Sequence, residues 1–127
     1  MFELIVKTRF SAAHRLANYP GTCAALHGHN WEVEVCVRGR QLNKLGLLVD
    51  FRVLKTRVQE AIRDLDHTDL NSLPELRKSN PSCEVLAQLL YERVARALNC
   101  RAYRVVWVSV GETPEARAIY RRKDKPE

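Results

Sequence analysis

Apolar and polar residues alternate from the start of the chain. Leu4, Val6, Phe10 and Ala12 fall on one parity, and Glu3, Lys7, Arg9 and Ser11 on the other. A period of two predicts a strand with one buried face, from Phe2 to about His14. Turn formers follow at Asn18-Tyr19-Pro20-Gly21. The alternation returns from Asn30 to Arg38, with Trp31, Val33, Val35 and Val37 set against Glu32, Glu34, Cys36 and Arg38. Beyond Asp50 the period lengthens. Phe51, Leu54, Val58, Ile62 and Leu65 recur at three- and four-residue steps, the apolar stripe of a helix. Val85, Leu86, Leu89, Leu90, Val94 and Leu98 predict a second helix, with Asn80 as its N-cap and Pro81 in the first helical position. Tyr103 to Val110 and a short run near Ala118 to Arg121 read as strands, joined by Gly111-Glu112-Thr113-Pro114. The order ββααββ predicts one α+β domain over residues 1–127, an antiparallel sheet with both helices on one face.

Composition narrows the class. An apolar share of 46% and a charged share of 28% are those of a soluble globular domain. No segment approaches the ~20 consecutive apolar residues of a membrane helix. Met1 to Lys7 reads as a strand and not as a signal peptide, so a cytoplasmic protein without membrane contact is expected. Four scattered cysteines without a CxxC pair argue against both a disulfide scaffold and a thiolate-rich zinc finger. The net charge of +6 suits either nucleic acid or an anionic small substrate. Basic residues cluster only at Arg121, Arg122, Lys123 and Lys125, a solvated end of the chain. No run of interleaved aromatic and basic residues marks an RNA-binding sheet, which leaves a zinc-stabilised RNA-binding module as a weak alternative.

The four histidines carry the candidate chemistry. His27-Gly28-His29 puts two imidazoles two residues apart at the start of the second strand, on one face of an extended chain. His14, at the end of the first strand, could add a third nitrogen. Three neutral imidazoles suit Zn²⁺ and leave a fourth position open, as in a catalytic site. An HxH pattern alone is a weak signal. Cys23, four residues before His27, strengthens it as a thiol favoured as thiolate beside a cation, or as a fourth ligand that closes the site. Asp66-His67 forms a carboxylate–imidazole pair suited to proton transfer, or else a helix-terminal histidine. Glu112 reads on its spacing as a turn residue.

The segments Phe10-Ser11-Ala12-Ala13-His14-Arg15-Leu16, Cys23-Ala24-Ala25-Leu26-His27-Gly28-His29-Asn30, Gly46 to Phe51, Leu65-Asp66-His67-Thr68-Asp69-Leu70-Asn71, Asn80-Pro81-Ser82-Cys83-Glu84 and Val110-Gly111-Glu112-Thr113 occur in order with sensible gaps. Together they resemble the 6-pyruvoyl-tetrahydropterin synthase family over nearly the whole chain. Within it the chain looks most like the bacterial branch that forms 6-carboxytetrahydropterin for queuosine biosynthesis.

The resemblance implies a tunnelling fold (T-fold) whose subunits assemble through their sheets into barrels, commonly a homohexamer built as a dimer of trimers with active sites at the interfaces. It implies one Zn²⁺ per subunit on His14, His27 and His29, with Cys23 as the catalytic thiol and not a ligand. Asp66 and His67 would complete the proton-transfer set, and Glu112 would anchor the pterin, which reverses the turn-residue reading. The implied substrate is 7,8-dihydroneopterin triphosphate, and the products are 6-carboxytetrahydropterin, acetaldehyde and triphosphate. A pyruvoyl-forming lyase is the alternative, and the three residues between Cys23 and His27 separate the two, since pyruvoyl-forming relatives usually have a longer gap. Ala24, Ala25 and Cys83 depart from the side chains common at their positions.

Overall fold

The computed structural model describes residues 1–21 and 24–123. Five strands and two helices follow in the order β1 (Phe2–His14), β2 (His27–Gly39), α1 (Phe51–Ile62), β3 (Thr68–Asp69), α2 (Cys83–Leu98), β4 (Arg104–Thr113) and β5 (Ala116–Arg121). The sheet order is β3-β1-β2-β4-β5, and the sheet does not close on itself within one chain. The ββααββ frame is as expected from the sequence, with the short β3 added between the helices. One expectation is corrected: the sheet is not purely antiparallel, because the two-residue β3 pairs parallel to β1 through Ala12↔Thr68 and Ala13↔Asp69.

The strand parities translate directly into faces. Val6 pairs with Val35 and Phe10 with Trp31, and all four are buried under the helices. Leu54, Val58 and Ile62 of α1 and Leu86, Leu90 and Val94 of α2 join them in one continuous core. Each fully buried leucine here is worth roughly 1.5–3 kcal/mol of transfer free energy. Leu65 is buried as the sequence stripe requires, yet it lies past the end of α1, and Phe51 at the stripe's start is half exposed. Asp50 caps α1 by accepting from the Arg52 N–H.

The start of α2 also differs from expectation. Ser82, and not Asn80, is the N-cap, its hydroxyl accepting from the Val85 N–H at 3.2 Å. The Asn80 carboxamide is engaged elsewhere, on the main chain of Ala17. Arg93 of α2 fastens the segment between the helices. Its guanidinium donates to the Ala61 carbonyl, to both Asp64 oxygens and to Glu75, at 2.7–3.1 Å. No helix among the described residues is long and apolar enough to cross a membrane.

Gly39, at the end of β2, shows how closely the sheet meets the loop beyond it. A Cβ built there would lie 2.4 Å from the Ala102 carbonyl oxygen and 2.4 Å from a Leu48 methyl. Because one of those neighbours is backbone, Gly39→Ala is expected to cost about 1–3 kcal/mol, read as a lower urea midpoint at an unchanged slope.

Candidate metal centre and proton-transfer pair

The β1–β2 register sets His14 directly opposite His27 and Ala12 opposite His29. Directly opposed residues of an antiparallel pair share a face. All three imidazoles therefore stand on the helix-bearing side, at the end of the sheet beside Trp31. The ring centroids are 4.5, 5.2 and 4.8 Å apart for His14–His27, His14–His29 and His27–His29. One ligating atom from each falls within 4.8 Å of the others, so the three could hold one metal ion.

Hydrogen bonds decide which nitrogen is offered. His14 Nδ1 lies 2.8 Å from the Pro81 carbonyl oxygen, and His27 Nδ1 lies 2.7 Å from that of Ala25. A carbonyl only accepts, so each Nδ1 carries the proton and each Nε2 keeps its lone pair. The Nε2 atoms of His14 and His29 are buried and have no hydrogen-bond partner among the described residues. Burial pushes the His14 imidazole below the ordinary histidine value, which favours the neutral, ligating form. Orphaned, buried, convergent nitrogens are costly in a closed core and are what a cation site requires. The donor set fits a metal.

Glu112 faces the same point. It lies within β4 next to Gly111, which pairs with Glu32, so the turn placed there by spacing begins only after Thr113. Its carboxylate oxygens lie 3.8 Å from His14 Nε2 and 3.7 Å from His29 Nε2, close but beyond hydrogen-bond length. Cys83, the first residue of α2, packs against Glu112. Burial first, and then the Glu112 charge, push its thiol up to about 11, so it is a neutral S–H at physiological pH. Cys23 lies outside the described residues.

Asp66 and His67 sit elsewhere. The Asp66 carboxylate accepts from the Ser11 N–H at 2.9 Å and faces His67 Nδ1 at 3.0 Å. The Ser11 N–H, ahead of His67, holds the Asp66 carboxyl below the usual carboxylate range. The parallel register sets Thr68 beside Ala12 and Asp69 beside Ala13. The exposed His67 precedes β3 as a turn residue, its N–H donating to the Ser11 carbonyl. It borders an open depression lined also by Gly28, Asn30 and His29. His29 touches both places; the other two ligand histidines do not line the depression. His67 is also strained, with φ at 58°, a left-handed conformation uncommon for a residue with a Cβ.

Sequence reasoning missed the Pro81 and Ala25 carbonyls that set the tautomers. Main-chain acceptors leave no side-chain signal. It also missed Trp31 as the floor of the cluster, its ring 4.7 Å from His14 and 5.3 Å from His29.

Comparison with known proteins gives the family and the fold. The family profile described as 6-pyruvoyl tetrahydropterin synthase matches residues 3–123. A 6-carboxy-5,6,7,8-tetrahydropterin synthase of Bacillus subtilis (strain 168) is 36% identical over 96% of this chain and 86% of its own. A 6-pyruvoyl tetrahydrobiopterin synthase of Dictyostelium discoideum is 29% identical over 95% and 98%. The solved 6-pyruvoyl tetrahydropterin synthase of Caenorhabditis elegans superposes with a TM-score of 0.84 at 24% identity, covering 96% of each chain, and it shares the fold.

Strain at His67 gives a direct test. His67→Gly is expected to fold more stably than His67→Ala by about 1 kcal/mol, because glycine adopts positive φ freely and alanine does not. Denaturant midpoints of the two variants measure the difference.

Proposed function

The chain belongs to the 6-pyruvoyl tetrahydropterin synthase family, and from that premise we propose that it is a zinc-dependent 6-carboxytetrahydropterin synthase. Its substrate is 7,8-dihydroneopterin triphosphate, and its products are 6-carboxytetrahydropterin, acetaldehyde and triphosphate. The observation that carries the reading is the cluster of His14, His27 and His29, with two buried Nε2 atoms that have no partner among the described residues and Glu112 beside them. The gap of three residues between Cys23 and His27 supports the carboxy-forming branch over the pyruvoyl-forming one. The setting is a cytoplasmic step towards the queuosine precursor.

His14, His27 and His29 would hold Zn²⁺, with His14 and His27 offering Nε2. When bound, the ion acts as a Lewis acid on the oxygens of the substrate side chain, easing loss of the neighbouring protons. Glu112 accepts hydrogen bonds from the N–H groups of the pterin and fixes the ring next to the cluster. Cys83 keeps its proton and so adds no second negative charge against Glu112. Cys23 moves protons at the side-chain carbons. His67, paired through Nδ1 with Asp66, offers its other nitrogen as the partner acid or base. The excess of basic residues favours approach of the polyanionic triphosphate.

Within one chain the cluster and Glu112 form one group, while the Asp66–His67 pair is exposed at the β3 edge. Assembly as a hexamer, a dimer of trimers, brings the Asp66–His67 pair of a neighbouring copy to each cluster. The open sheet edges at β3 and β5 support this, since unpaired edges are sites for further strand pairing.

Two expectations follow. Incubation with dihydroneopterin triphosphate is expected to release acetaldehyde, detected by coupled reduction; a pyruvoyl product would move the chain to the other branch, and no turnover with zinc bound would remove both. Cys23→Ala is expected to keep about one zinc per chain, by elemental analysis, and to lose turnover. Mixed and reassembled with inactive His67→Ala, it should recover part of the activity, because some interfaces then combine two intact halves. A mixture that stays inactive would place both residues in the same half.

A further inference from the structure

The main chain leaving β1 is held by two asparagines. Asn71 Oδ1 accepts from the Arg15 N–H at 2.8 Å, and Asn71 Nδ2 donates to the Arg15 carbonyl at 3.1 Å. Asn80 does the same to Ala17, at 2.9 and 3.1 Å. A carboxamide with one donor and one acceptor reproduces what a neighbouring strand offers. The parity is that of a strand edge. Ser11, two pairs earlier, gives its N–H to Asp66 and its carbonyl to the His67 N–H, so residues 11, 15 and 17 all bond towards the segment that precedes α2. Side chains thereby continue the edge pairing of β1 after β3 has ended.

His14 lies inside this arrangement. Its neighbour Arg15 is tied to Asn71, Ala17 is tied to Asn80, and its own Nδ1 is tied to Pro81, the residue after Asn80. The Asn80 contacts join chain positions 63 residues apart, and those of Asn71 join positions 56 apart. These bonds are not needed to cap α2, since Ser82 does that. Nor do the asparagines belong to the hydrophobic core. What they fix is the position of a buried imidazole and of the carbonyl that sets its tautomer.

We propose that Asn71 and Asn80 are positioning residues of the metal centre, acting through the main chain at Arg15 and Ala17 and, for Asn80, through the Pro81 carbonyl. The inference rests on the metal-binding reading above. Asn80 carries the larger share because it bears on His14 from two directions. Groups that orient ligands without touching the ion change metal affinity about 10- to 100-fold when removed.

The test uses Asn80→Asp and Asn71→Asp, which keep the acceptor, lose the donor and set a carboxylate against a carbonyl oxygen. Val58→Ala, a cavity in the α1 core, serves as the control for lost stability alone. Zn²⁺ affinity of each metal-free protein is measured by competition with a chromophoric chelator, and the visible absorption of the Co²⁺ form reports site geometry. Asn80→Asp is expected to bind about tenfold more weakly with a shifted Co²⁺ band, and Asn71→Asp less so. Val58→Ala should melt earlier yet keep both readouts. Aspartate variants that retain wild-type affinity and the wild-type band, whatever their melting temperature, overturn the inference. If an aspartate variant does not fold, the serine variant at that position is read by the same criteria. A wild-type chain that takes up no metal overturns the zinc reading itself, and this inference with it.

Discussion

The register between β1 and β2 is the constraint on which the molecule rests. Opposed residues share a face, so the pairing that buries Val6 with Val35 and Phe10 with Trp31 also sets His14 against His27. A slip of one residue would turn the whole apolar set of β2 towards solvent. It would also disperse the histidines. The histidine cluster therefore needs no framework of its own: it is the last rung of the hydrophobic core, and the force that selects the register is burial of the valines and aromatics. That coupling makes cluster geometry hard to lose without losing the fold.

Much of this was legible in the sequence because a period of two is a statement about faces. The parity of Trp31, Val33 and Val35 predicts the buried side of β2, and the same parity carries His27 and His29. Helix positions followed from the longer period at Leu54, Val58 and Ile62. Legibility failed where a side chain had two physically sound uses. Asn80 is a good N-cap, but Ser82 is another, and only the tertiary structure shows that Asn80 bonds to Ala17. Glu112 fits a turn by composition, while β4 runs on through Thr113. The two-residue β3 is too short for any periodicity. The Asp66-His67 pair was visible in the sequence as a motif and not as a location, because its place beside Ser11 depends on that unforeseen parallel pairing.

The histidines stand on unequal energetic footing. The three clustered histidines sit in a largely buried environment, and main-chain carbonyls fix the tautomers of His14 and His27. His67 is exposed and held at positive φ by its N–H bond to Ser11. Strain of this kind costs of order 1–3 kcal/mol and persists only where neighbours over-determine it. Here the neighbours are Asp66 through Ser11, and Arg93, which staples Asp64 and Glu75 on either side. The histidine cluster belongs to the core; the strained His67 hangs on a clamp of charged hydrogen bonds at the surface, where salt screens them more readily.

The indole beneath the histidines has a consequence of another kind. Trp31 is fully buried, edge-on to His14 and His29, and its N–H is anchored to the Ala12 carbonyl at 3.1 Å. Its excited state therefore sees little water and two imidazoles, whose protonation or coordination changes the local field and the routes for quenching. Trp107, the second tryptophan, lies on the opposite face under the Arg121 guanidinium. The protein thus carries an intrinsic fluorophore at the cluster and a reference fluorophore away from it, so the state of the three histidines is written into its own emission spectrum.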